Sequence, residues 1–140
     1  MEGRITIENI QSLKENEVFV FGSNESGLHG AGAAKDARMY FGAKIGKGFG
    51  YHSTSIGKTF AIPTKSWTIS KLELSSINHY IDRFIAFART RPDLLFLVTE
   101  IGCGLAGYSV EEISPLFHNT VYLDNIHLPR RFWKHLTREI

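Results

Sequence analysis

Val18-Phe19-Val20-Phe21-Gly22-Ser23-Asn24-Glu25-Ser26-Gly27-Leu28-His29-Gly30-Ala31-Gly32 carries an apolar run straight into a glycine-rich stretch. A short apolar run without polar alternation reads as a strand covered on both faces. The glycines pass into Ala33-Ala34-Lys35, read as part of a helix over about Ala31–Tyr40. The same plan returns where Leu94-Leu95-Phe96-Leu97-Val98 leads to Gly102-Cys103-Gly104-Leu105-Ala106-Gly107-Tyr108. Ser109-Val110-Glu111-Glu112 then has the form of a capping box that opens a helix. Each strand–loop–helix unit sets backbone N–H groups and a helix N-terminus against a bound anion, with no side chain in the way. Two such units in one small chain point to a site for a phosphorylated ligand, most simply a nucleotide.

Around these units the pattern predicts strands at Arg4–Glu8, Glu17–Phe21, Leu94–Glu100 and Asn125–Leu128. A short strand at Phe60–Ile62 is expected to stop at Pro63. Ile77, Tyr80, Ile81, Phe84, Ile85 and Ala88 recur at helical spacing and predict a helix over Ser75–Arg89, closed by Pro92. Pro115 should bend or shorten the helix after Ser109, and a last helix is expected over Arg130–Thr137. The glycine-rich stretch 42–58 reads as irregular. Alternating strands and helices imply an α/β layered fold with a mixed, mostly parallel sheet. Ligands bind at the carboxyl ends of strands in such sheets, and both glycine loops fall there.

A length of 140 residues with 43% hydrophobic content fits a single domain over 1–140, and 21% charged residues argue against disorder. A net charge of +2 does not by itself mark a nucleic-acid binder. The single cysteine, Cys103, excludes an internal disulfide and fits a reducing compartment. The N-terminus has no apolar signal core and no stretch approaches the ~20 residues of a membrane span, so a cytoplasmic domain without a membrane partner is expected.

Several positions carry a functional and a structural reading together. Gly102-x-Gly104-x-x-Gly107 matches the dinucleotide fingerprint, with Asp124 seventeen residues further on. A nicotinamide-dependent oxidoreductase is therefore an alternative, although fewer than forty residues remain after the motif to build the following βα units. Asn24 and His29 can meet a ribose or phosphate, or simply form the turn. Lys65, after Ala61-Ile-Pro-Thr64, can clamp a phosphate, attack an anomeric carbon, or sit solvated in a loop. Tyr108, Phe49, Tyr51 and Trp67 can stack on a base or pack at an edge. Cys103 has no base partner in sequence. The six histidines lack metal-ligand spacing, and no serine nucleophile elbow is present. No metal and no resident cofactor is expected. Arg130, Arg131, Lys134, His135 and Arg138 make the last helix basic, which reads as a solvated face. A non-catalytic structural or assembly protein, whose glycine loops only make turns, is a further alternative.

Ile5-Thr-Ile7, the strand Val18–Phe21, Gly30-Ala-Gly-Ala-Ala34 through Phe41-Gly42, Ala61-Ile-Pro-Thr-Lys65 and Ile101-Gly-Cys-Gly-Leu105 together resemble a macrodomain over about residues 4 to 128. The similarity is to the branch of lysine-dependent ADP-ribosyl glycohydrolases acting on protein or DNA, and to small phage and bacterial proteins. The resemblance implies a three-layer α/β/α sandwich that binds ADP-ribose or an ADP-ribosylated macromolecule, with nucleic acid only as carrier of the ADP-ribosyl group. It implies a diphosphate cradle between Gly30, Ala31, Gly32 and Ala33 on one side and Gly102, Cys103, Gly104, Leu105, Ala106, Gly107 and Tyr108 on the other. Asn24 lies at the same edge. Asn9 takes the place of the acidic residue that contacts adenine, and its amide oxygen can accept the same hydrogen bond. Lys65 aligns with the attacking lysine. Ala106 stands where these enzymes carry an assisting carboxylate, which leaves Glu100, Glu111 or His29 to move a proton, or leaves binding alone.

Overall fold

Val18 and Val20 turn to one face of a sheet and Phe19 and Phe21 to the other, and all four are buried. A computed structural model describes residues 2–137, so Arg138 lies outside the described residues. Its strands are β1 (Ile5–Thr6), β2 (Glu17–Asn24), β3 (Gly50–Ser53), β4 (Lys58–Lys65), β5 (Leu95–Val98) and β6 (Ile126–Pro129). They form one sheet in the order β1-β6-β5-β2-β4-β3. Every neighbouring pair is parallel except β3 with β4.

The helices are α1 (Gly32–Tyr40), α2 (Leu74–Arg89), α3 (Val110–Ile113) and α4 (Arg130–Leu136), with a 3-10 stretch at Ser114–Thr120. Ala34 and Ala37 of α1, with Phe41, cover Phe19 and Phe21. Ile77, Ile81, Phe84, Ile85 and Ala88 of α2 join Phe117 and Phe132 on the opposite face, over Val18, Val20, Ile62 and Phe96. The result is a mixed, mostly parallel α/β/α sandwich. Among the described residues no helix is long and apolar enough to cross a membrane, and no group of His, Cys, Asp and Glu could hold a metal ion.

Several expectations are corrected. The central strand continues past Phe21 to Asn24, so the first glycine belongs to the strand. Pro63 does not stop β4, which runs through it to Lys65. β3 accompanies β4 only as far as Ala61, and the ladder to β2 shifts register next to Pro63, so an edge position tolerates the missing N–H. The stretch 42–58 is not wholly irregular: Gly50–Ser53 forms the antiparallel edge strand. The first strand shrinks from Arg4–Glu8 to two residues: Arg4 lies in a 3-10 turn with its guanidinium on the carbonyls of Thr120, Val121, Leu123 and Ile126, and its partner β6 ends at Pro129, opposite Thr6. The capping box forms, with Ser109 Oγ accepting from Glu112 N at 3.1 Å and Glu112 Oε1 from Ser109 N at 3.0 Å. Pro115 then helps reduce the α-helix to four residues before the chain tightens into the 3-10 stretch.

Candidate functional site

β2, β4 and β5 end at one edge of the sheet, and a cleft of about 510 Å³ lies over their ends. Gly22 forms its floor: a side chain there would meet Gly102 N, Ile101 Cγ2 and Thr64 Cγ2, each at 3.6 Å. Asn24 shapes the first loop. Its Oδ1 accepts from Leu28 N at 2.9 Å and Ser26 Oγ at 2.8 Å, and its Nδ2 donates to Leu28 O at 2.8 Å. The turn reading of Asn24 is thus realised while the residue still borders the cleft.

The chain then enters α1 through Ala31, an extended N-cap whose side chain caps nothing, and the first turn holds no acidic residue. The N–H groups that begin α1 therefore lack side-chain partners beside the cleft, and the helix dipole places partial positive charge there. Opposite, the second loop is closed by Tyr108 N donating to Gly102 O at 2.9 Å and Gly107 N to Gly104 O at 3.0 Å. A Cβ on Gly32 would come within 3.4 Å of Leu105 Cδ1, so the loops approach closely across the cleft. Lys65, the last residue of β4, stands in the same lining as Leu28, Ile69 and Ala106.

A second hollow of about 790 Å³ runs along the same edge toward β6 and β1, lined by Asn9, Arg130 and Arg131 among others. The two share Thr99 and Glu100. Glu100 is gripped there by Arg131, with Nε to Oε2 at 2.7 Å and Nη2 to Oε1 at 2.6 Å, and this pairing holds its carboxyl below the usual value.

The cleft brings together Asn24, Gly30, Ala31, Gly32, Ala33, Lys65, Gly102, Gly104, Leu105 and Ala106. It does not bring in Cys103, Gly107, Tyr108 or Asn9. Tyr108 turns behind the loop, where its hydroxyl donates to Leu72 O and Lys71 Nζ lies 3.8 Å above its ring. It is thus not a wall of the cleft. Cys103 lines a third hollow behind the loop, shared with Tyr108 and Glu111, and burial pushes its thiol up to about 11. Asn9 is held at φ +53° in the second hollow. Phe49 and Tyr51 pack on Phe60 and Phe87 instead of facing a ligand, while Trp67 stays exposed. Among the acid–base candidates only Glu100 reaches the cleft. Glu111 lies behind the second loop, and His29 is 3% exposed against Phe21, with neither ring nitrogen hydrogen-bonded among the described residues. Burial holds the His29 imidazole below its ordinary value, and the nearby Arg38 charge adds to this. Thr99, Ile69 and Ile101 were not legible as site residues, since nothing local distinguishes them from ordinary strand ends and turns.

The dinucleotide fingerprint lacks its context. The helix after Gly107 has four residues, and Asp124 precedes β6, at the edge opposite the cleft. A strand of four residues separates that carboxylate from any ribose at Gly102–Gly107, about 13 Å at 3.3 Å per residue.

The sequence matches no protein-family model and no curated protein. The fold is similar to a protein of unknown function from Bacteroides thetaiotaomicron, at a TM-score of 0.61 and 11% identity over 85% of this chain and 88% of that one. It is also similar to a macrodomain protein from Streptomyces coelicolor, at 0.59 and 12% over 86% of this chain and 90% of that one. At these identities the likeness is one of architecture: the chain has a macrodomain-like α/β fold.

Proposed function

We infer that the cleft binds ADP-ribose or a related ADP-ribosyl nucleotide. The observation that carries this is the uncapped start of α1 facing a second glycine loop across the ends of β2 and β5. Backbone donors from both sides suit a diphosphate. The second hollow, joined to the first at Thr99 and Glu100, offers the adenosine end a place beside Asn9. The macrodomain-like architecture supports the same ligand.

A second reading, removal of ADP-ribose from a carrier, is favoured by Lys65 standing at the cleft end of β4. A lysine nucleophile needs a partner to take and return protons. Ala106 supplies none, and Glu100 is committed to Arg131. Binding therefore leads.

Calorimetric titration with ADP-ribose tests the reading, and no heat with the folded protein rejects it. Ala31→Asp gives a second arm. A carboxylate at this N-cap satisfies the free N–H groups and stabilises the fold by about 0.5–2 kcal/mol. It also occupies the anion position, so ADP-ribose affinity drops by about tenfold or more. For the second reading, ADP-ribosylated protein or DNA is released by the wild type and not by Lys65→Ala; equal release removes Lys65 from the chemistry.

A further inference from the structure

The loop Ser66–Ser70, between β4 and α2, is pinned at its neck and within. Lys65 and Lys71 form an isolated antiparallel bridge. Ser66 N donates to Ser70 O at 2.7 Å, and Ile69 N to Ser66 O at 3.0 Å. The hydroxyls of Ser66, Thr68 and Ser70 link in a chain at 3.0 and 3.3 Å. In this frame Ile69 sits at φ +65°, a conformation that a β-branched side chain adopts only under strain. Asparagine or glycine would hold the same turn more easily. Isoleucine instead supplies an apolar side chain to the cleft lining.

Leu28 from the first loop and Leu105 from the second do the same, and the three are 56%, 42% and 67% exposed in the order Leu28, Ile69, Leu105. One exposed apolar residue is ordinary; three from separate loops lining one cleft are not. Lys65 lines the same cleft. The other ionisable residue of this lining, Glu100, follows β5, two strands away and so about 10 Å across the sheet, and is already matched by Arg131. Beside Lys65, Glu25 N donates to Lys65 O at 2.9 Å while the Glu25 carboxylate accepts from the Tyr80 hydroxyl at 2.6 Å, so among the cleft-lining residues the Lys65 end combines apolar side chains with one positive charge.

We propose that Ile69, Leu28 and Leu105, with Lys65, make this end of the cleft accept an uncharged planar ring on the outer ribose of the ligand and reject a cationic one. The inference rests on the ADP-ribose reading above and specifies what that ligand carries. An uncharged ring gains apolar contact, whereas a pyridinium loses hydration against side chains that cannot pair with it and faces the ammonium of Lys65.

NADH and NAD+ share the ADP-ribose portion and differ in the charge of the nicotinamide ring, so together with ADP-ribose they form the test. The wild type binds NADH several-fold tighter than ADP-ribose and about tenfold tighter than NAD+. Lys65→Met brings the NADH to NAD+ ratio toward one. Ile69→Asn brings the NADH to ADP-ribose ratio toward one with an unfolding temperature no lower than wild type, which a merely structural role would not allow. Wild type binding NAD+ as tightly as NADH, or Ile69→Asn keeping the NADH advantage, overturns the inference while the ADP-ribose reading stands. Failure of the wild type to bind ADP-ribose overturns both.

Discussion

Replacing the three glycines of the second loop by alanine, one at a time, separates backbone conformation from available space. At Gly102 φ is +78°, and the new Cβ would stand 2.9 Å from Ile113 Cδ1 and 3.3 Å from Ile113 Cγ1. Ile113 is fully buried and cannot swing aside. A left-handed alanine costs about 1–2 kcal/mol. Forcing a methyl against a packed core adds about 1–3 kcal/mol, so Gly102→Ala loses roughly 2–5 kcal/mol in all. Gly107, at φ +81° with nothing within 4 Å, bears only the conformational part, about 1–2 kcal/mol. Gly104 lies outside the left-handed region and in open space, and alanine there is neutral or stabilising by about 0.4–1 kcal/mol through the unfolded chain. Urea unfolding of the three variants should rank Gly104→Ala at or above wild type, then Gly107→Ala, then Gly102→Ala. Equal losses at 102 and 107 would refute the close seating of Gly102 on Ile113. A large loss at 104 would refute the open geometry of the loop. Because Gly104 borders the cleft, its alanine variant is also the one whose ligand affinity falls with the fold intact.

Three further outcomes follow from the charges and the thiol. His29 has a lowered folded value, so as pH drops below about 6.5 the unfolded chain takes the proton first and stability declines. His52 and His127 are lowered too and contribute in the same direction. His29→Leu reduces the slope between pH 7 and 5 by up to about 1.4 kcal/mol per pH unit, read by urea unfolding at each pH; an unchanged slope refutes burial of a neutral ring. The Glu100 carboxyl is lowered by Arg131, so this pair stabilises above the unfolded carboxyl value and is lost as pH falls through the folded one. Both side chains are more than a third exposed, so Arg131→Ala costs little at pH 7, and the difference vanishes in acid and shrinks in high salt. Cys103, raised to about 11, reacts with a disulfide reagent at pH 8 on the order of a hundredfold more slowly than a free thiol.

The elements legible in the sequence are those whose signal is local. The helix of Ile77, Ile81, Phe84, Ile85 and Ala88 buries the face its spacing predicts. Val18–Phe21 is a central strand because nothing polar interrupts a segment covered on both sides. Pro63 and Gly50–Ser53 were misread for one reason. Whether a strand tolerates proline, or glycine-rich residues pair, depends on which neighbour lies alongside, and β3 ends just where Pro63 needs no partner. In the site, the two glycine loops that line the cleft were legible because close backbone approach calls for glycine at the position itself. Tyr108 and Cys103 share that loop yet turn behind it, Tyr108 with its hydroxyl on the Leu72 carbonyl and Cys103 with its thiol on the Ile101 carbonyl.

The sequence alone thus determined two strand–glycine loop–helix units, a lysine shortly after a third strand and a small residue at 106. The resemblance set the two loops on either side of one site, and the tertiary structure shows them lining one cleft. It also decided that Glu100 joins that cleft to a second hollow under the grip of Arg131, and that Ile69 is bent into the rim. Periodicity and turn chemistry act over a few residues, whereas these placements follow from the order in which β4, β2, β5 and β6 lie side by side, which no local pattern encodes.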